Sequence, residues 1–167
     1  MNRSQRHRSL RRRPVVRPSA PPHRNGRSEA ATRARVMVVD DHADTRDLLL
    51  TILKTEGYEV ALAEDGDVAI ARYREWAADV VLMDLYMPRK DGVTTIRDLR
   101  AEYPGVVIVA MSGDGGTIWR DALVEARAAG ALLTLRKPIE PWVLLRTLEG
   151  LMAARKTLSS SGLSRSA

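Results

Sequence analysis

Five polar side chains stand where apolar runs end, and their types could do chemistry together. The run over residues 35–40 closes on Asp40 and Asp41, and the run over 79–84 closes on Asp84. Ser112 follows the run over 106–111, and Lys137 follows the one over 131–136. If these ends lie side by side, three carboxylates share one site. Carboxylates held together repel one another and take up protons unless a cation relieves them. Hard oxygen ligands in a site left open to water suit Mg2+, which binds through one or two carboxylates and keeps several waters. Lys137 offers a point charge for a phosphoryl or carboxylate oxygen, and Ser112 offers a hydroxyl donor. Such a set can receive a small dianion, with metal on one side and ammonium and hydroxyl on the other. An aspartate so placed can act as the nucleophile that becomes an aspartyl phosphate.

Taken singly, each residue has an ordinary explanation. An acidic pair is commonly a solvated loop or a helix cap, a lone Lys is surface charge, and Ser112 ahead of Gly113, Gly115 and Gly116 suits a turn. No G-K-[ST] follows those glycines, so they make a poor phosphate cradle. His42 is expected in the first turn of a helix, without a second imidazole to complete a metal site, and Trp119 and Trp142 are expected to pack.

Position in the fold changes the weighing. Strands are expected over 35–40, 58–63, 79–84, 106–111 and 131–136, each a short, largely apolar run suited to burial on both faces. Helices are expected over 43–55, with Leu48, Leu49, Ile52 and Leu53 at helical spacing, then over 67–76, 94–102, 117–129 and from Pro141 to about Arg155. Gly57, Pro104-Gly105 and Gly130 are the stops. Strict strand–helix alternation with short loops implies an α/β fold, a parallel sheet with helices on both faces and right-handed crossovers. In such open sheets, ligands sit outside the carboxyl ends of the strands. Asp40, Asp41, Asp84, Ser112 and Lys137 all fall there, while the second strand, ending at Ala63-Glu64, is the exception.

Four stretches carry a resemblance: Val38-Val-Asp-Asp41, Met83-Asp-Leu-Tyr-Met-Pro-Arg-Lys-Asp-Gly92, Ala110-Met-Ser112 and Leu135-Arg-Lys-Pro138. In this order, each at a strand end, they resemble the receiver domain of two-component response regulators. The resemblance implies a flavodoxin-like, doubly wound (βα)5 sheet with strand order 2-1-3-4-5. It implies that Asp84 is the phosphoacceptor, loaded by a sensor histidine kinase or a histidine phosphotransfer protein. Asp41 would bind Mg2+ directly, Asp40 directly or through water, and Asp84 and the backbone carbonyl of Tyr86 would be further ligands. Ser112 and Lys137 would hold the phosphoryl group, the Lys137–Pro138 bond would be cis, and Met87-Pro88 and Gly92 would shape the loop after Asp84. The chain would catalyse its own phosphorylation and slow dephosphorylation without being an enzyme in the ordinary sense. One departure stands out: the family carries Tyr or Phe three residues before the conserved Lys, and this chain has Thr134 there and no Phe anywhere. Tyr86 is expected to shield the acyl phosphate, and Asp114 to add negative charge nearby.

Composition bounds the rest. The chain has 167 residues and no Cys, which excludes disulfides, thiol nucleophiles and Cys-ligated zinc. No apolar run reaches the roughly 18 residues of a membrane span, and a cytoplasmic location is expected. Residues 1–33 hold ten Arg and one acid, a charge of +9, whereas the remainder carries −3, so the whole is +6. The basic character belongs to an Arg/Pro-rich segment expected to be disordered. That segment suits a solvated extension, an organellar transit peptide, or sequence-blind contact with nucleic acid. Residues 34–156 form the expected receiver, and the Ser-rich stretch 157–167 is expected to fray. With about a dozen residues after Arg155, the expected protein is a stand-alone receiver that signals by protein contact or phosphorelay, with pairing through the surface of the fourth helix, fifth strand and fifth helix. A DNA-associated regulator using the basic segment is the alternative. A haloacid-dehalogenase-type phosphatase would need an acid two residues after its nucleophile at the end of the first strand, and position 42 is His.

Overall fold

The computed structural model describes residues 33–113 and 116–161. Expectations for residues 1–32, for Asp114 and for the Trp119 side chain lie outside the described residues. Five strands alternate with five helices: β1 (Arg35–Val39), α1 (Ala43–Thr55), β2 (Glu59–Ala63), α2 (Gly66–Glu75), β3 (Val80–Asp84), α3 (Gly92–Glu102), β4 (Ile108–Ser112), α4 (Gly116–Ala129), β5 (Leu133–Arg136) and α5 (Pro141–Ser161). All strand pairs are parallel, in the order β2-β1-β3-β4-β5. This is the flavodoxin-like arrangement.

Side-chain alternation splits the core between the sheet's two faces. Met37, Val39, Val81, Met83, Ile108 and Ala110 point to one face and pack with α2, α3 and α4 through Ile70, Ile96, Leu99 and Ala126. Val36, Val38, Val80, Leu82, Val109 and Met111 point to the other, where Leu49 and Leu53 of α1 and Leu144 and Leu148 of α5 cover them. The three central strands are buried almost throughout, and β2 and β5, at the edges, are not.

Several expectations need correction. Leu48 is 58% exposed, because α1 buries the Leu49–Leu53 stripe and Leu48 stands about 100° around the helix from it. Trp142 does not pack: it is 63% exposed, two residues from Leu144 and therefore on the far side of α5. β5 begins at Leu133 and not at residue 131, because the N–H of Ala131 still bonds to Ala126 at the end of α4. β4 begins at Ile108, the turn after α3 holding Val106 through its N–H to Tyr103. α5 continues through the first part of the stretch expected to fray, ending at Ser161, since no Gly or Pro interrupts it between Gly150 and Gly162. Arg33, placed with the basic segment by composition, is tied to the body: its N–H bonds to Gly57 O at 3.2 Å and its guanidinium pairs with Glu56.

Candidate functional site

The ends of β1, β3, β4 and β5 meet at one edge of the sheet. Asp40 follows β1 directly and is fully buried, and Asp84 is the last residue of β3 and 3% exposed. The β3–β4 register pairs Asp84 with Met111, so Ser112, buried at the end of β4, lies one residue beyond it. The N–H of Lys137 donates to Ser112 O at 2.8 Å, extending the β4–β5 ladder by one residue. Its ammonium then reaches Asp40 Oδ2 at 2.6 Å and Asp84 Oδ1 at 3.1 Å. The Lys137–Pro138 bond is cis. Asp40, Asp41, Asp84 and Lys137 are thus brought together, with Ser112 beside them.

The electrostatics show a site short of positive charge. Burial pushes the Asp84 carboxyl above its usual range, Lys137 pulls it back, Asp40 raises it further, and a hydrogen bond from the Tyr86 N–H lowers it. One ammonium faces two buried carboxylates, with a third, Asp41, at the rim. Asp40, Asp41, His42 and Asp84 each offer a ligand atom within 4.8 Å of the others. A hard dication relieves the repulsion and leaves room for water, so the donor set fits Mg2+.

Local structure holds these groups in place. The loop after Asp84 turns back so that the Gly92 N–H bonds to Leu85 O at 3.1 Å. A Cβ at Gly92 would stand 2.0 Å from the Asp84 carbonyl oxygen and 2.8 Å from Leu85 Cα, so the backbone of Asp84 and Leu85 sets the need for glycine. Asp91 caps α3 by accepting from the Thr94 N–H. Arg89, in the left-handed region (φ 69°), pairs with Asp65 and Glu64 just beyond β2, tying the one strand end without a site residue to the loop. Tyr86 is 49% exposed, two residues from Asp84.

Two residues enter the site beyond expectation. His42 lies at the N-cap of α1, not in its first turn, and its Nδ1 is 3.0 Å from Asp41 Oδ1. Arg46 donates from one guanidinium nitrogen to the carbonyls of Asp40 (2.7 Å) and Asp41 (3.0 Å), clamping the turn that carries both acids. A signal for Arg46 was available: a cation near a helix N-terminus opposes the helix dipole, so an arginine there calls for a specific partner.

The family model of the response regulator receiver domain matches residues 36–149. The chain belongs to that family. It is 37% identical over 118 residues to the transcriptional regulatory protein ZraR of Salmonella typhimurium, covering 71% of this chain and 26% of that protein. It is 36% identical over 109 residues to the DNA-binding response regulator MtrA of Mycobacterium tuberculosis, covering 65% of this chain and 46% of that one. The chain therefore spans about a quarter to a half of the curated relatives it matches. Among solved structures, NtrX from Brucella abortus superposes with a TM-score of 0.72 at 30% identity, over 79% of this chain and 29% of that one. The chemotaxis protein CheY4 of Vibrio cholerae gives 0.64 at 31% identity, over 71% of this chain and 98% of its own length.

Proposed function

We propose that Asp84 accepts a phosphoryl group from the phosphohistidine of a sensor histidine kinase or histidine phosphotransfer protein, in the cytoplasm, and that the loaded domain signals by protein contact or by passing the group on. The observation that carries this is the buried Asp84 carboxylate facing Lys137 at 3.1 Å within a cluster of acids. A carboxylate oxygen of Asp84 attacks phosphorus, the P–N bond to the donor imidazole breaks, and an acyl phosphate forms. Asp40, Asp41, Asp84 and the Tyr86 carbonyl would hold Mg2+, which supplies positive charge to the phosphoryl oxygens when bound. Lys137 exchanges its contact with Asp84 for one with a phosphoryl oxygen, and Ser112 donates its hydroxyl to another. The same groups support slow hydrolysis of the acyl phosphate, with Tyr86 limiting access of water.

Output is assigned to the α4–β5–α5 side, where Val124, Leu132, Leu133 and Trp142 are exposed. Such apolar side chains suit a second receiver or another protein target. No helix among the described residues is long and apolar enough to cross a membrane. The ten Arg of residues 1–33 favour a second reading, sequence-blind contact with nucleic acid that weakens steeply with salt. A gel shift across a salt series, comparing the full chain with residues 34–167, tests it.

The decisive experiment is intact mass after incubation with acetyl phosphate, with and without Mg2+. One added phosphoryl group, requiring both Mg2+ and Asp84, is expected. Label retained by Asp84→Asn would sink the assignment.

A further inference from the structure

Short side chains with an oxygen acceptor favour helix N-caps, because they satisfy the free N–H groups of the first turn. α2 and α3 follow that rule with Asp65 and Asp91. α1 does not. Its N-cap is His42, in extended conformation (φ −82°, ψ 116°), and the side chain caps nothing. The imidazole turns toward the acids instead, with Nδ1 3.0 Å from Asp41 Oδ1 and 3.6 Å from Asp40 Oδ1. The His42 N–H also donates to Asp40 Oδ1 at 2.9 Å, which roots the ring beside that carboxylate.

Asp40 consequently faces two ways. Its Oδ2 meets the Lys137 ammonium, and its Oδ1 meets His42. The second side gathers Asp40 Oδ1, Asp41 Oδ1 and an imidazole nitrogen. One ligand atom from each of Asp40, Asp41, His42 and Asp84 lies within 4.8 Å of the others. Donors ~2.0–2.2 Å from an ion stand at most about 4.4 Å apart across it. The small remaining gap can be closed by the imidazole, whose side chain is 69% exposed and meets little packing.

We propose that His42 is a metal ligand, and that with Asp40, Asp41 and Asp84 it biases the site toward first-row transition dications over Mg2+. This rests on the acid cluster being the cation site of the proposed function. Carboxylates and water suit Mg2+, whereas an imidazole nitrogen adds affinity for Mn2+, Co2+, Ni2+ and Zn2+ and little for Mg2+. The ion takes the place of the direct contact between Nδ1 and Asp41 Oδ1. His42 thereby specifies which metals can load the receiver.

The test uses the full chain carrying His7→Gln and His23→Gln, so that His42 is the one imidazole left. Mn2+ is bound, and its electron spin-echo is read for nitrogen modulation. Modulation present in this background and absent in His42→Ala, with Mn2+ still bound in both, is expected. The preference for Co2+ over Mg2+ is expected to fall roughly tenfold in His42→Ala, with Mg2+ affinity moving far less. Mn2+ that binds and competes with Mg2+ but shows no nitrogen modulation overturns the role of His42 and leaves the Mg2+ site standing. Equal losses for Co2+ and Mg2+ in His42→Ala overturn selectivity. Failure of Mn2+ and Mg2+ alike to bind, with Asp84→Asn indistinguishable from the parent, overturns the cation site itself.

Discussion

The β1–β3 half of the site and the β4–β5 half are built differently. On the first, Asp40 and Asp84 sit at the ends of strands buried on both faces, and Arg46, the His42 N–H and the Gly92 turn fix the surrounding backbone. On the second, Ser112 is buried, but β5 buries only Leu135 while Leu133 and Arg136 are exposed, and Thr134 stands half-buried where the family carries an aromatic. The contrast separates two tasks. The acids need a rigid frame because small displacements spoil ligand geometry. Under the proposed function the β5 edge is the one that reports on loading, and its exposed Leu133 and Arg136 suit a segment drawn from the less stable end of the range. Lys137 belongs to the second half and bonds to the first, so it joins them.

Breaking that junction should have the largest effect. Lys137→Ala leaves Asp40 buried without its cation, and removing one partner of a buried pair costs about 3 kcal/mol or more. Thermal unfolding should show the loss, with Mg2+ recovering part of it by mass action. Acetyl phosphate should still load the variant, while the phosphorylation-dependent spectral change disappears. Retention of that change would remove Lys137 from the signalling path. Gly92→Ala strikes the frame of the first half alone. Its Cβ would meet backbone that cannot move aside without shifting Asp84, so a loss of about 1–3 kcal/mol is expected, together with slower phosphoryl uptake.

Asp84→Asn sharpens the comparison through pH. Burial raises the Asp84 carboxyl above its ordinary value of 3.8, so the folded chain holds this proton more tightly than the unfolded chain. Stability from this group is therefore present at low pH and is lost as pH rises past 3.8 toward the raised value. The amide variant should melt higher than wild type near neutrality, and the difference should shrink as pH falls toward 3.8; a constant difference across that range would contradict the burial account. The smallest effect is expected from Thr134→Tyr. With beryllofluoride as a phosphoryl mimic, amide shift changes should stay near β4 in wild type and spread along β5 in the variant. Identical maps would mean that this half communicates without an aromatic.

Most of the fold was legible because two signals agreed: apolar runs ended on chemistry-bearing residues, and glycines closed the helices between them. α1 was read to the residue, with Gly57 at φ +80° as its stop. Leu48 and Trp142 misled because an apolar side chain near a helical stripe does not reveal on which side of the stripe it lies. The start of β5 was hidden because Ala131 serves the end of α4 through a backbone hydrogen bond, which side-chain type does not encode. In the site, Asp40, Asp41, Asp84, Ser112 and Lys137 were legible from position alone. His42 was not, since it acts through where its neighbours' oxygens point, and Arg46 left only the indirect signal of a cation near a helix N-terminus.

Lys137 also imposes a valence threshold. Its ammonium is a resident monovalent cation, bonded at once to Asp40 and Asp84 and unable to diffuse away. A potassium or sodium ion arriving at the cluster brings no more charge than the group already there, and gives up hydration to enter. A divalent ion brings twice the charge and can satisfy the acids on the side the ammonium does not reach. The receiver is therefore expected to disregard the monovalent salts that surround it, and a Mg2+ titration should respond alike to potassium and to a bulky organic cation at equal ionic strength.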